Sequence, residues 1–289
     1  NGYLNGMTFS SSSNDPTASN TSRVVTITSI QDSGGTANSG DDTNSGLSIA
    51  STITITPVND EPTLTATASN PTYVENGTAV SVYTSSSSST VESGQSIKNV
   101  VFTVTNVASG DLLTIDSDDV ALTNGNSVTI ATGTTASVSL SSTTATVTIA
   151  KSAGMTTTVV NGYLDGMTFS ASSDDPTVAN TSRVVTITSI QDDGGTANSG
   201  DDTNSGLSVA STITITGVND APTLTATAAN QGYIEGGSVS SALFSGAAVS
   251  TIEPAQTVSN FTITVTNVDS GDQLTVNSVA VALTNGTTA

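Results

Sequence analysis

A long internal repeat is the feature of this sequence that most constrains its fold. Residues 1–57 recur at 161–217, an offset of 160, and the two copies differ only at positions 5, 11, 14, 18, 19, 33, 49 and 57. The segment that begins VNDEP at Val58 recurs more loosely as VNDAP at Val218. A unit of about 160 residues is long enough to bury its own hydrophobic core, unlike the roughly 20–45-residue repeats of solenoid proteins.

The repeat divides the chain into three parts. We expect residues 1–57 to be the end of one unit, 58–217 a complete unit and 218–289 the beginning of the next. The match continues late into the unit, because TVTNVASGD at 103–111 returns as TVTNVDSGD at 264–272, now at an offset of 161. We therefore expect a linear string of domains, and a natural protein that extends beyond both ends of this chain.

Short segments with a period of two residues predict strands. In Val100–Thr105, for example, Val100, Phe102 and Val104 fall on one face and the threonines on the other, which suits a half-buried β-strand. Turn residues separate these runs, so the pattern predicts an all-β fold of antiparallel β-sandwiches. The only helical pattern is Met155–Leu164, with apolar residues four apart. The other predicted strands are Thr52–Thr56, Ala145–Ile149, Ser211–Thr216 and Phe261–Val265.

The charge balance limits the partners. The chain has 24 acidic and 4 basic residues and a formal net charge of −20. Binding to a nucleic-acid backbone or an anionic membrane surface requires clustered lysine and arginine, so neither is expected. The sequence has no run of about 18 apolar residues, so we expect no membrane insertion. Divalent cations are the natural counterions for such a chain.

The composition also argues against an enzyme. The sequence contains no histidine and no cysteine, which removes the usual general bases, thiol nucleophiles and zinc ligands. It contains no tryptophan to hold a sugar between paired carboxylates, and no glycine-rich phosphate loop between a strand and a helix. We predict a non-catalytic protein without disulfide bonds.

Clustered acidic residues in loops are the candidate metal ligands, because Ca²⁺ takes six to eight oxygen ligands from carboxylates and carbonyls. Adjacent carboxylates repel each other unless a cation lies between them. A solvated acidic surface is the alternative explanation for any single pair. The candidates that occur in both copies are Asp60, Glu75 and Glu92 with their equivalents Asp220, Glu235 and Glu253, and Asp32, Asp41 and Asp42 with their equivalents Asp192, Asp201 and Asp202.

The segments VNDEPTLTATASNPTYVENG and VNDAPTLTATAANQGYIEGG resemble the entry segments of bacterial cadherin-like repeats. Such repeats, which are Ig-like β-sandwiches, occur in giant surface adhesins exported by type I secretion, often with RTX motifs elsewhere. TSRVVTITSIQDDGGTANSGDDTNSGLSVASTITITGVNDAP resembles the closing strands of the same units, so the resemblance covers essentially the whole chain. It implies an extracellular location on a bacterial cell surface.

The resemblance also implies calcium at the junctions between domains. It places Asn59, Asp60 and Glu75 at the first junction, and Asn219, Asp220 and Glu235 at the second. Weaker matches are Glu92, Glu253, Asp32 and Asp192. The chain departs from the cadherin pattern, because Pro57 or Gly217 replaces the acid before Val-Asn-Asp and the Asp-x-Asp motif is missing. Each junction is therefore expected to bind fewer ions or to bind them more weakly.

Two non-catalytic functions are consistent with these features. In the first, calcium stiffens the units into a passive extender of a long secreted surface protein, and the partners are calcium ions and neighbouring repeats of the same chain. In the second, copies of the chain assemble into an extracellular filament, sheath or surface layer. The strand faces carry few charges and the chain has only two lysines, so strand edges are little protected against pairing between molecules.

Overall fold

The computed structural model describes residues 2–236 and 242–284, and the chain divides into two compact units between Val218 and Asn219. Strands account for 44% of the chain and helices for 7%, which confirms the predicted all-β class. None of the helices in the described ranges is long and apolar enough to cross a membrane.

The first unit contains both copies of the repeated segment, at residues 1–57 and 161–217. Residues 2–57 form helix α1 (Gly2–Asn5) and strands β1 (Ser22–Ile27), β2 (Ile30–Gln31), β3 (Thr43–Asn44) and β4 (Ile49–Thr54). The rest of the unit forms β5 (Thr63–Ala68), β6 (Thr72–Val74), β7 (Val80–Ser81), β8 (Tyr83–Ser89), β9 (Ile97–Thr105), β10 (Asp111–Ile115), β11 (Asp118–Ala121), β12 (Ser127–Ala131), β13 (Thr134–Ser141), β14 (Thr144–Met155), α2 (Thr157–Asp165), β15 (Thr168–Ala171), β16 (Ser182–Asp192), β17 (Thr203–Asn204) and β18 (Val209–Thr216). Short 3₁₀ helices at Ala37–Ser39 and Ala197–Ser199 occupy equivalent loops.

Two sheets and a strand pair make up the body of this unit. The large sheet has the order β12-β13-β14-β9-β16-β18-β6, with β17 also paired to β16, and the smaller sheet has the order β11-β10-β15-β7. Neighbouring strands are antiparallel except β18 and β6, while β5 pairs with β8. Side chains from both sheets and from α2 form one hydrophobic core, and in the described residues every buried hydrophobic side chain lies between Leu64 and Ile215.

Strand β9 confirms the predicted alternation. Val100, Phe102 and Val104 are buried in the core, whereas Thr103 and Thr105 on the other face remain partly exposed. Ser211–Thr216 in β18 and Ala145–Ile149 in β14 also form strands as predicted, while β4 ends two residues before the predicted Thr56. Period-two patterns identify these strands because each one has hydrogen-bonded partners in the sheet.

The second unit is smaller. It contains β19 (Thr223–Ala228), β20 (Phe244–Ser250), β21 (Gln273–Val276) and β22 (Val279–Ala282), which form two separate two-stranded pairs. The predicted strand Phe261–Val265 is not formed. This segment is the copy of β9, which lies between β14 and β16 in the first unit, and the described part of the second unit has no equivalent of either neighbour. A segment without a neighbouring strand lacks the inter-strand hydrogen bonds that stabilise a β-strand.

Helix α2 corrects the helical pattern seen in the sequence. It covers Thr157–Asp165, and the hydroxyl of Thr156 caps it by accepting a hydrogen bond from the Val159 N–H at 3.3 Å. Val160, Tyr163 and Leu164 are the buried helical residues, whereas Val159 is exposed. Met155 and Tyr163 of the 155, 159 and 163 series are therefore buried, but Met155 ends β14, and Val160 and Leu164 rather than Val159 complete the buried face of the helix.

Candidate metal site

The candidate metal site is built around Asn59, where the chain enters the complete unit. The Asn59 side-chain amide donates to Asp192 Oδ1 at 3.1 Å and to the backbone oxygen of Asp201 at 2.5 Å. The Asp201 N–H in turn donates to the backbone oxygen of Asn59 at 2.9 Å. These bonds attach the entry segment to the loop that connects β16 to β17, so residues that are distant in sequence meet at one end of the large sheet.

Asp192 is the most unusual group in this site. It is 1% exposed, and its Oδ1 accepts hydrogen bonds from Asn59 and from the Gly194 N–H at 2.9 Å. Its Oδ2 is buried without a hydrogen-bond partner. Burial raises the pKa of Asp192, the hydrogen bonds from Gly194 and Asn59 lower it, and the negative charges of Asp202 and Glu92 raise it further. A buried carboxylate oxygen near two other carboxylates is a natural position for a cation.

Glu92 supplies a second buried carboxylate. It is 8% exposed, and its Oε1 accepts a hydrogen bond from the Asp60 N–H at 3.0 Å. Gln95 Nε2 donates to Asn59 Oδ1 at 2.6 Å, so the loop that carries Glu92 also contacts the entry segment. The structure therefore brings together Asn59, Asp60, Glu92, Asp192 and Asp202 from the predicted set.

The second unit repeats part of this arrangement. The Asp220 N–H donates to Glu253 Oε1 at 2.7 Å, and Gln256 Nε2 donates to Asn219 Oδ1 at 2.8 Å. Asp220 Oδ2 and Glu253 Oε2 are both buried without hydrogen-bond partners. The same local geometry thus forms in both copies of the entry segment.

Asp15 belongs to the site, although the sequence analysis missed it. Its Oδ2 accepts a hydrogen bond from the Ser93 N–H at 3.2 Å, next to Glu92, and this bond holds the pKa of Asp15 below its ordinary value. Asp15 comes from the segment that precedes the complete unit. The available signal was the triplet Asp15-Pro16-Thr17, which recurs as Asp175-Pro176-Thr177 with the same threonine-to-aspartate hydrogen bonds.

Glu75 does not lie with Asn59 and Asp60, as predicted, but contacts Thr216 and Val218. Its Oε2 accepts a hydrogen bond from the Val218 N–H at 2.7 Å, and its own N–H donates to the Thr216 oxygen at 2.9 Å. Thr216 ends β18, which is antiparallel to β16, so Glu75 and Asp192 lie at opposite ends of these strands. The reason is that β6 pairs in parallel with the last residues of β18 and carries Glu75 away from the entry segment.

The side chains of the remaining predicted ligands lie outside this site. Asp32 and Asp41 are exposed, and their oxygens accept hydrogen bonds from Gly34 and Thr43 within their own loop. Asp42 accepts from Thr43 and Gln31, which lowers its pKa. The Asp201 backbone bonds to Asn59, but its exposed carboxylate accepts a hydrogen bond from the Thr203 N–H instead. Glu235 is exposed in the second unit.

The donor chemistry at Asn59 suits a hard cation, because carboxylate and amide oxygens are what Ca²⁺ prefers. In the described ranges, no three acidic side chains are close enough together to hold a metal ion as they stand. The pKa of Asp192 is nevertheless raised, first by its burial, which is the larger cause, and then by the negative charges of Asp202 and Glu92. The oxygen donors present are of the kind that Ca²⁺ takes, and their side chains would have to move closer together to hold an ion.

Comparison of this chain with protein-family models, with curated proteins and with solved structures finds no match.

Proposed function

We propose that this chain is part of an extracellular spacer whose β-sandwich units are stiffened by calcium where one unit meets the next. The observation that carries the proposal is the buried, unpartnered Oδ2 of Asp192 beside Glu92 and Asp202. The proposed units are 1–57, 58–217 and 218–289. Their support is the sequence repeat and a core whose buried hydrophobic residues lie within Leu64–Ile215.

The proposed ligands come from three parts of the chain. Asp192 at the end of β16 and Asp202 just before β17 supply carboxylates. Glu92 supplies a third from the loop before β9, and Asn59 supplies an amide oxygen from the entry segment. Calcium contributes the positive charge that these groups lack, since the only ion pair in the described residues is Arg183–Asp111, which includes none of them. Neutralising the cluster removes both the repulsion and the desolvation cost of the buried Asp192 carboxylate.

Stiffening follows from where the ligands originate. The loop of Glu92 is already bonded to Asp15 of the preceding segment through Ser93, and Asn59 is bonded to the loop of Asp201. A cation held by Glu92, Asp192 and Asn59 fixes both loops and the entry segment at once. The junction then loses freedom to swivel, because any rotation has to break metal ligands as well as hydrogen bonds.

The proposed affinity is modest. Extracellular calcium modules typically bind with dissociation constants of roughly 10⁻⁴–10⁻³ M. At a calcium concentration ten times the dissociation constant, binding stabilises the folded state by about 1.4 kcal/mol. Such a site responds to extracellular calcium and remains empty at cytosolic levels, which agrees with the proposed location on a bacterial cell surface.

Calorimetric titration of the whole chain with calcium tests the proposal, with Asp192→Asn and Asp32→Asn as a matched pair. Asp32 is the exact sequence copy of Asp192 but lies in an exposed loop. We expect Asp32→Asn to retain the binding heat of the wild type, and Asp192→Asn to lose one class of sites. Equal titrations for the wild type and Asp192→Asn mean that the acidic loop is a solvated surface and that the proposal is wrong.

A further inference from the structure

The first residues of the complete unit lie directly beside its last residues. Strand β6 pairs in parallel with the end of β18, with Tyr73 opposite Ile215. Among the described strands, β18 is the only one that pairs with β6. Residues 59–75 and residues 201–218 therefore run side by side in the same direction. The contact between these two segments is called here the entry–exit seam.

Hydrogen bonds begin the seam at the entry end of the unit. The Asp201 N–H donates to the backbone oxygen of Asn59 at 2.9 Å. The side-chain amide of Asn204 donates to the backbone oxygen of Pro62 at 3.1 Å. The two segments are thus joined before either strand of the parallel pair begins.

The middle of the seam is held by Asn70 and Pro71. The Thr212 N–H donates to Asn70 Oδ1 at 2.8 Å, and the Asn70 N–H donates to Ser211 Oγ at 3.2 Å. The Thr214 N–H donates to the backbone oxygen of Pro71 at 2.9 Å. These bonds connect β18 to the residues that precede β6, so the seam is longer than the three-residue strand itself.

Glu75 closes the seam at the exit end. Its N–H donates to the Thr216 oxygen at 2.9 Å, and its Oε2 accepts a hydrogen bond from the Val218 N–H at 2.7 Å. Glu75 is 4% exposed. A buried side chain near the start of the unit therefore holds the residue at which the chain leaves it.

Tension along the chain loads this seam by sliding. Residues 1–57 precede Val58 and residues 219–289 follow Val218, so tension enters the complete unit at Val58 and leaves it at Val218. It pulls the entry segment towards its beginning and the exit segment towards its end. Because the two segments run in the same direction, these pulls slide one along the other, and the hydrogen bonds between them carry the load together. Separation from one end would instead break them one after another.

Packing adds to this resistance. Both segments carry side chains that are buried in the core, which are Leu64, Tyr73, Ile213 and Ile215. Sliding the segments past each other has to expose this apolar surface to water as well as break hydrogen bonds. The seam thus transmits tension from the entry to the exit of the unit and protects the rest of the core from it.

We infer that the entry–exit seam is a mechanical clamp that keeps the complete unit folded while the chain is under tension. The inference rests on the proposed spacer function for the source of the tension, but the clamp itself requires no calcium. Forced unfolding is governed by the rate of unfolding rather than by equilibrium stability. A seam that has to break first therefore raises the force at which the unit unfolds.

Single-molecule pulling of the whole chain in chelator tests this inference. The chain has no cysteine, so the attachment points can be chosen by substitution. Val58→Cys with Val218→Cys loads the seam by sliding. Thr78→Cys with Val218→Cys loads it from one end, because Thr78 follows the turn that ends β6, in which the Gly77 N–H donates to the Val74 oxygen. All three substituted residues are exposed. We expect the first pair to unfold at several times the force of the second.

Asn70→Gly and Asn124→Gly are matched variants for the sliding geometry. Each removes one side-chain oxygen that accepts a backbone hydrogen bond, from the Thr212 N–H at 2.8 Å or from the Leu140 N–H at 3.0 Å. Only the Asn70 bond belongs to the seam, and glycine accepts the φ of 46° found at Asn70. At constant force, we expect Asn70→Gly to unfold roughly fivefold faster than its parent, which is the rate factor of one hydrogen bond. Asn124→Gly should unfold at the rate of its parent.

Equal unfolding forces in the two geometries overturn the inference, and so do equal unfolding rates for the two glycine variants. The comparison of geometries uses neither glycine variant, so it decides the question alone if one of them does not fold. Because the pulling is done in chelator, its result is independent of the calcium titration. Failure of calcium binding leaves the clamp intact, and failure of the clamp leaves the calcium site intact.

Discussion

The side-chain amide of Asn59 donates to Asp192 Oδ1 at 3.1 Å and thereby joins the entry segment of the complete unit to the end of β16. These residues are 133 positions apart in sequence. The other oxygen of Asp192 is buried with no hydrogen-bond donor, and this is the oxygen that we propose binds a cation.

Asp192→Asn should stabilise the metal-free protein. A buried carboxylate near Glu92 and Asp202 is costly at neutral pH, whereas a neutral amide retains an oxygen for Gly194 and Asn59. We expect an increase in the free energy of unfolding on the order of 1 kcal/mol in chelator, measured by urea denaturation. With excess calcium the order should reverse. A variant less stable than the wild type in chelator contradicts the account of Asp192.

The difference in the free energy of unfolding between the wild type and Asp192→Asn should change with pH in one defined direction. Because the pKa of Asp192 is higher in the folded state than its ordinary value, the folded state holds the proton more tightly. The wild type should therefore lose stability relative to Asp192→Asn as the pH rises from below the ordinary Asp pKa of about 3.9 through the raised folded value. Paired urea titrations from pH 3.5 to 7 in chelator measure this, and the comparison cancels the other carboxylates. A difference that stays constant with pH would rule out this pKa assignment.

Gly194→Ala should disrupt the site by steric overlap. A Cβ at residue 194 overlaps Asn59 Oδ1 and Gln95 Nε2, so the entry segment has to move. We expect a loss of about 1–3 kcal/mol in the free energy of unfolding. The matched control is Gly34→Ala, the equivalent position, where the only close neighbour is Asp32 Oδ1 at 3.0 Å. Similar losses in both variants would mean that the contact with Asn59 is not responsible.

Arg183→Ala should be strongly destabilising, because it leaves the buried Asp111 carboxylate without its partner. Removal of one member of a buried pair typically costs about 3–5 kcal/mol. Arg23→Ala, at the equivalent position in the first copy, should leave thermal unfolding of the core unchanged, because Arg23 bonds only to backbone oxygens of its own segment. Calorimetric unfolding of the two variants measures the difference. Equal destabilisation by both substitutions would contradict the role of the Arg183–Asp111 ion pair in the core.

The sequence predicted strands where the packing partners are within the same chain. The alternation in β9 and β18 was sufficient, because each is paired on the sheet and buried on one face. The same alternation failed at Phe261–Val265, with which no strand in the described part of the second unit pairs. Periodicity therefore indicates which face a strand would bury, but pairing decides whether the strand forms.

The sequence indicated which residues of the entry segment lie together, but it did not indicate the contacts that depend on topology. Asp60 contacts Glu92 in the structure, and the same contact recurs between Asp220 and Glu253. Their role as metal ligands stays a prediction. Glu75 was placed wrongly, because nothing local to the sequence indicates that β6 pairs in parallel with the end of β18. Asp15 was missed because its role depends on Ser93, 78 residues away.

Small-angle X-ray scattering of the whole chain, titrated with calcium and then with chelator, tests the central claim most directly. Asp192→Asn and Asp32→Asn serve as the matched pair. The account predicts that calcium increases the maximum dimension and reduces flexibility in the wild type and in Asp32→Asn, and that Asp192→Asn does not respond. A wild-type profile that is identical with and without calcium would contradict the account.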